Sequence, residues 1–403
     1  MESMFRTIDA LAPGTTVLTR VDLNSGVVDG EVQDNPRFGR HAETIARLAS
    51  QDNRVVVMSH QGRPGSDDFV SLDAHAQILE TYLDRPVDFC SEPFGDAANA
   101  AITALNAGDV LLLDNVRMAA DEMKDLTPEE HAQSSFVQSL APHADAYVGD
   151  AYSAAHRAHA SIVGFPVAID NVFAGPVMAA EYKANSSIVS KTFDGEVVMV
   201  LGGTKADDLI RVIEGVSDRV DAFLLGGVIG ELCLRAKGYD LGYDIGGTDV
   251  FDTIWDNHHT AIEDLLETHG DRFTLPVDMA YEGPDGERTE RPVADIEKTE
   301  SYFDIGSETA DHFAATVADA SAVFVKGAVG VFEDDRFNHG TVRILESIGQ
   351  SDGFSVVGGG DTSRAIDLYD LDPSNYDHVS IAGGAYVRAL AGEPLPGVEV
   401  LRT

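Results

Sequence analysis

Short apolar runs recur along this chain, each followed by a turn and then, in most cases, by a stretch of helical period. In the first half they are TTVLT (15–19), RVVVMS (54–59), DVLLLD (109–114) and DAYVGD (145–150). In the second they are EVVMVL (196–201), DAFLL (221–225), RFTLPVD (272–278), SAVFVK (321–326), FSVVG (354–358) and HVSIA (378–382). Strand-length runs alternating with helical segments build parallel sheets from βα units. With 403 residues there is chain enough for two cores. The expected class is therefore α/β: two Rossmann-like parallel-sheet α/β/α domains joined by a hinge and an interdomain helix. The hinge is expected over 165–190, where Phe165-Pro166 and Gly175-Pro176 break the alternation and VMAAEYKANSSIV (177–189) reads as one helix. Thr127-Pro128-Glu129-Glu130 predicts a helix start. The polar stretch 281–300 reads as a surface loop or excursion.

In open parallel sheets ligands bind outside the carboxyl ends of the strands, so the residues that follow each run carry the functional information. In the first half these are Arg-Val-Asp-Leu-Asn (20–24), Ser-His-Gln-Gly-Arg-Pro (59–64), Asp-Asn-Val-Arg (114–117) and the segment 150–159. Together with Arg37, expected to enter from the loop after the first strand, they supply Arg20, His60, Arg63, Arg117, His156 and Arg157. Elsewhere the chain avoids positive charge: 28 Lys+Arg stand against 68 Asp+Glu, a formal net charge of -40. Any one of these arginines could pair with a local aspartate. Their recurrence at one topological position points instead to a small ligand carrying a phosphate and a carboxylate.

The strand ends of the second half are rich in glycine: LGGTK (201–205), LGGVIG (225–230), KGAVGVFE (326–333), VGGGDT (357–362) and AGGA (382–385). Glycine lets backbone N–H groups approach phosphate oxygens, and a helix N-terminus adds its dipole. Asp361-Thr362 at a helix start could orient Mg²⁺ and a phosphate, although a plain N-cap explains Asp361 as well. No GxxxxGK[ST] occurs, which excludes the P-loop enzymes.

The acidity is spread along the chain, and the lysines are only Lys124, Lys183, Lys191, Lys205, Lys237, Lys298 and Lys326. Such a charge repels itself in dilute buffer and is screened in concentrated salt, as befits a salt-rich cytoplasm. Nucleic acid and anionic membranes are poor partners for it. Without an apolar run of membrane length or a signal-peptide layout, a cytoplasmic location is expected. Cys90 and Cys233 read as core residues. No sign of oligomerisation appears, so a monomer is expected.

Seven ordered motifs, RVDLN, SHQGRPG, GDAYSAAHRAHAS, GGTK, GAVGVFE, VGGGDT and LPGVEVL, make the chain resemble the phosphoglycerate kinases over essentially its whole length. The acid-rich composition looks like that of haloarchaeal members. The resemblance implies a glycolytic and gluconeogenic enzyme that transfers phosphate in line, after hinge closure, between MgATP and the carboxylate of 3-phosphoglycerate. It implies an N-terminal 3-phosphoglycerate domain over 1–168, with the tail at about 390–403 packing back on it. It also implies a nucleotide domain over 169–389 that includes an interdomain helix at about 176–190. By motif position Asp22, Asn24, Arg37, His60, Arg63, Arg117 and Arg157 would hold the acid. Arg37 and Lys205 would serve the transferring group. Gly203, Lys205, Lys326, Gly330, Glu333, Gly360, Asp361 and Thr362 would hold ATP or ADP: Glu333 at the ribose, Gly360 and Thr362 at the phosphates, Asp361 at Mg²⁺ through the nucleotide.

Three departures fall in the nucleotide half. The family's second lysine, four residues after the first, is Leu209 here. Its Asn-Gly-Pro-Met-Gly reads Lys326-Gly327-Ala328-Val329-Gly330, and its triple glycine reads Gly226-Gly227-Val228. Lys326 is expected to restore the charge missing at Leu209. The alternative reading is a non-catalytic phosphometabolite or nucleotide sensor, against which the retention of both Arg37 and Lys205 argues. Base recognition has no short motif in the chain.

Overall fold

The computed structural model describes residues 4–242, 250–297 and 300–402. The chain divides into two compact units: Met1–Lys183 with Pro394–Thr403, and Ala184–Glu393. Thr403 of the expected tail, and Lys298 and Thr299 of the polar stretch, lie outside the described residues.

The first unit is built on six parallel strands in the order Asp88–Cys90, Val110–Leu113, Arg54–Met58, Thr16–Arg20, Ala146–Gly149 and Val172–Ala174. The four central strands are the runs read from the sequence. The two edge strands escaped notice because three residues are too few to show a pattern. The second unit repeats the plan with Phe273–Thr274, Ala222–Leu225, Val197–Leu201, Ala322–Lys326, Phe354–Gly358 and His378–Ser380, again all parallel. The central runs are almost wholly buried, as strands covered by helices on both faces must be. Both cysteines are buried and free.

Two segments differ from the sequence reading. RFTLPVD is not one strand: Pro276 cannot donate to a ladder, and the run splits into Phe273–Thr274 of the parallel sheet and a separate strand, Asp278–Glu282. The polar stretch that follows is an excursion that carries a strand, not a loop throughout. Arg288–Pro292 and Tyr302–Ile305 flank Asp278–Glu282 in an antiparallel three-stranded sheet. Ion pairs replace apolar alternation there: Arg288 reaches buried Asp304 at 2.9 Å and Glu290 at 2.9 Å.

Thr127 caps Pro128–Ala132 through the full reciprocal box with Glu130. Over the expected hinge the chain forms the short helix Phe165–Ala168, the strand Val172–Ala174, the helix Pro176–Asn185 and a further turn, Ser187–Ser190. The single helix expected over 177–189 is thus two. In the first unit the tail forms a turn of helix, Pro396–Glu399, whose Gly397 N–H donates to the Ala155 carbonyl at 2.9 Å.

Candidate functional site

In the first unit, strand register brings the cations to one edge. Arg20 ends its strand opposite Met58 and Gly149, so Ser59-His60 and Asp150 emerge beside it, and Asp114–Arg117 follows the next strand over. Arg37 arrives differently from expectation. It lies in the first turn of the helix Pro36–Ala49, because Asn35 accepts from the Arg37 N–H at 2.9 Å and Pro36 starts the helix. Its guanidinium donates to the Asn24 carbonyl at 2.9 Å and lies 3.4 Å from Asp22. Asn24 in turn accepts from the Gly62 N–H at 2.9 Å through its side chain. Asn115 orients Arg117 by accepting from its N–H at 3.1 Å.

Beneath this surface runs a buried network that carries no obvious sequence signal. Glu122, fully enclosed, accepts from the Ser161 hydroxyl at 2.6 Å and from the Ser161 N–H at 2.7 Å. Ser161 accepts from Arg20 Nε at 2.8 Å, and Arg20 Nη2 reaches His60 Nδ1 at 3.1 Å. A guanidinium can only donate, so His60 Nδ1 accepts and its proton sits on Nε2. Burial, aided by Arg20, Arg117 and Arg157 and opposed by Asp22, keeps the His60 pKa well below the usual histidine value. His60 is therefore a neutral N–H donor. Arg20, 1 % exposed, supports this arrangement from within; Ser153, absent from the sequence reading, bonds Asp22.

Electrostatics mark the cluster as a place for an anion. Burial raises the Asp22 pKa, but Arg37, His60, Ser153 and Arg20 overcome it and hold the carboxyl far below its ordinary range. Burial together with Arg157 and Arg20 brings Arg117 down to about 10, and burial with Arg63 and Arg20 lowers Arg157. Arg20, Arg63, Arg117 and Arg157 thus repel one another around buried Asp22, which also faces Arg37. Some of their donors are unspent: Arg117 Nε is enclosed with no partner among the described residues. Exposed Arg63 has no side-chain hydrogen bond or ion pair among them either. A doubly charged ligand would discharge both deficits.

In the second unit the same logic applies with different residues. Lys326 ends its strand opposite Leu201 on one side and Gly358 on the other. It therefore stands between the turn leading to Lys205 and the turn leading to Asp361. Burial lowers its pKa, Asp208 and Asp361 pull the other way, and Lys205 adds to the lowering. Lys326, Lys205 and Asp361 thus share one neighbourhood, whereas Leu209 is buried in the core, 1 % exposed.

The glycine turns are tied chiefly to each other. Gly203 N–H donates to the Ala328 carbonyl at 2.6 Å, Gly227 N–H to Val329 at 3.2 Å and Val228 N–H to Gly203 at 3.1 Å. A Cβ on Gly327, whose φ is +80°, would stand 2.2 Å from the Gly202 carbonyl oxygen. These glycines are required for turn-on-turn packing more than for direct amide contacts with a ligand. Uncommitted amides lie instead at Gly360, Asp361 and Thr362, the first turn of the helix Gly360–Leu368. The Thr362 hydroxyl is buried and donates to the Gly358 carbonyl at 2.7 Å, which leaves its N–H for a ligand. Gly330 backs onto Asp304, and exposed Glu333 pairs with Arg364 at 3.3 Å. No group of three or more metal-binding side chains occurs among the described residues. Asp361 and Asp208 offer carboxylates beside Lys326, a donor set that suits a cation arriving with its own phosphate ligands.

Comparison with known proteins gives the same answer along the whole chain. The family model "Phosphoglycerate kinase" matches residues 8–393. The phosphoglycerate kinase of Halorubrum lacusprofundi is 58% identical over 398 residues, 98% of each chain. That of Haloarcula marismortui is 54% identical over 399 residues, 99% of each. Among solved structures, the phosphoglycerate kinase of Pyrococcus horikoshii superposes with a TM-score of 0.92 at 32% identity, covering 99% of this chain and 98% of that one. Two parallel-sheet units with a cationic strand edge in one and knitted glycine turns in the other thus coincide with a full-length match, and the chain belongs to the phosphoglycerate kinase family.

Proposed function

We propose that the chain transfers the terminal phosphoryl group of MgATP, reversibly, to the carboxylate of 3-phosphoglycerate, and that Asp22, Asn24, Arg37, His60, Arg63, Arg117 and Arg157 hold that acid. The observation that carries this reading is the mutual repulsion of the arginines around Asp22. The full-length likeness to named kinases supports it, and nothing comparable supports the sensor alternative.

The acceptor is already ionised at neutral pH, so no general base is needed. Catalysis then rests on positioning and on neutralising two anions that repel. Arg37, fixed by Asn35 and Asn24, supplies charge from the first unit and Lys205 from the second. Lys326 takes the place of the lysine that Leu209 lacks. The first-turn amides of Gly360, Asp361 and Thr362 receive phosphate oxygens, Gly203 and Gly330 shape the turns around them, and Glu333 exchanges its weak surface pair with Arg364 for the ribose. Asp361 would hold Mg²⁺ through those phosphates, where the ion neutralises their charge. Since the two sets lie on different units, closure about 165–190 must unite them and exclude water. X-ray scattering with both ligands is expected to show compaction; an unchanged radius of gyration would count against closure. We take the enzyme to act as a cytoplasmic monomer.

The assay is ADP release from MgATP in the presence and absence of 3-phosphoglycerate. Release that depends on 3-phosphoglycerate, and that falls about a thousandfold in Lys205→Ala, is expected. Lys326→Asn is expected to raise the KM for MgATP about tenfold or more by removing one phosphate charge. Unchanged kinetics in that variant would end the compensation idea.

A further inference from the structure

We propose that Gln61 is a positioning residue for the acid site, its side-chain amide fixing the loops that carry Asn24, Arg63 and Arg117. This rests on the acid site assigned above. Gln61 follows His60 just past the strand Arg54–Met58 and is fully buried. It offers no surface to a ligand, so its meaning lies in what its amide holds.

All four hydrogen-bonding places on that amide are taken. Oε1 accepts from the Ser25 N–H at 2.8 Å and lies 3.1 Å from His75 Nε2. Nε2 donates to the Ser25 carbonyl at 2.9 Å and to the Asp68 carbonyl at 3.1 Å. A backbone N–H only donates and a carbonyl only accepts, so the amide can face only one way.

The partners adjoin residues of the acid site. Ser25 follows Asn24, whose carbonyl holds Arg37 and whose side chain holds the Gly62 N–H. Asp68 closes the loop that begins at Gly62 and carries Arg63. The closure is tight, since a Cβ on Gly62 would stand 2.3 Å from the Asp68 carbonyl oxygen. Arg63, without a side-chain bond among the described residues, takes its place from this loop. The Gln61 carbonyl accepts from Asn115 Nδ2 at 2.7 Å, and Asn115 orients Arg117. One enclosed residue therefore joins three loops that are distant in sequence.

His75 completes the junction. Oε1 carries no hydrogen, so His75 Nε2 supplies the proton between them. His75 Nδ1 is enclosed without a partner among the described residues, and a proton there would have no acceptor. Burial, opposed by Asp73, brings the His75 pKa down to about 4. The ring also packs on Phe38, centroids 5.7 Å apart, beside Arg37 in its helix.

The test is steady-state kinetics of Gln61→Met in molar KCl, well below its thermal midpoint, with folding checked by near-ultraviolet circular dichroism. Methionine fills a similar space but leaves the N–H groups and carbonyls around it unpaired. The KM for 3-phosphoglycerate is expected to rise about tenfold or more, with the KM for MgATP unchanged. A purely structural role would lower the thermal midpoint and leave both KM values alone. Should Gln61→Met not fold, His75→Gln and His75→Leu read the same amide through one bond. Glutamine can still donate, so His75→Gln should keep the wild-type KM for 3-phosphoglycerate and His75→Leu should raise it. An unchanged KM for 3-phosphoglycerate in folded Gln61→Met, or a rise shared equally with MgATP, overturns the proposal. Where only the His75 variants fold, equal KM values in both overturn it. In wild type at about pH 7, nitrogen NMR should find His75 neutral with its proton on Nε2. A proton on Nδ1 would reverse the amide and overturn the proposal as well. Failure of the kinase reading would show separately, as absent 3-phosphoglycerate-dependent ADP release by wild type.

Discussion

An arginine cluster of this kind is held open by very few counter-charges, and Asp22 is the chief of them. Replacing it with asparagine leaves Arg37 and its neighbours without their buried partner, at an expected cost of roughly 3 kcal/mol. Because its folded-state pKa is depressed, this stabilisation is present above the ordinary carboxylate range and is lost as the pH falls through and below it. The difference in thermal midpoint between wild type and Asp22→Asn should thus be constant from about pH 8 to pH 6 and shrink below about pH 4. A difference that stays constant on acidification would show that the carboxylate charge is not what matters. His60 makes a second check. Burial and three arginines hold it neutral, so its imidazole NMR signals should not titrate between about pH 8 and pH 6. A midpoint near the usual histidine value would show that Arg20 does not hold Nδ1 as an acceptor. The cations of this site were legible because they follow apolar runs at a fixed topological place. Glu122 and Ser153 were not, since their meaning lies in burial and in partners remote in sequence, which no local pattern carries.

Elements were legible where burial on both faces writes an unbroken apolar run, as in VVMVL or VLLL. They were illegible where stability comes from something else. Arg288–Pro292 is a strand whose side chains are mostly charged and whose cohesion is the Arg288–Asp304 pair, so alternation had nothing to show. The edge strands of the first unit, Asp88–Cys90 and Val172–Ala174, fail for want of length. The glycine turns were recognised, but their main role was not. Gly202, Gly203, Gly227 and Gly327 are held by backbone-to-backbone contacts between turns. Gly327→Ala must then strain a left-handed residue and collide with the Gly202 carbonyl, at an expected cost of about 1–3 kcal/mol. Calorimetry should place that loss in the second unit, as a midpoint lowered by several degrees. A neutral substitution would mean the turn can move without cost.

At the scale of the whole molecule the net charge of -40 dominates. Repulsion among carboxylates reaches about 30 Å in 0.01 M salt and about 3 Å in 1 M salt. The thermal midpoint should therefore climb steeply with KCl, and a midpoint independent of salt would show that the surface charge is already balanced locally. The same background explains why positive charge at the two strand edges is informative, since each cation there stands out against the rest of the surface. It also fixes the conditions of the decisive measurement, ADP release from MgATP driven by 3-phosphoglycerate in about 1 M KCl, compared between wild type and Arg37→Ala. Turnover by wild type that drops about a thousandfold in the variant, with MgADP binding intact, is the expected result. Undiminished turnover in Arg37→Ala would contradict the assigned site. No turnover by a folded wild type that still binds 3-phosphoglycerate would contradict the transfer reaction itself.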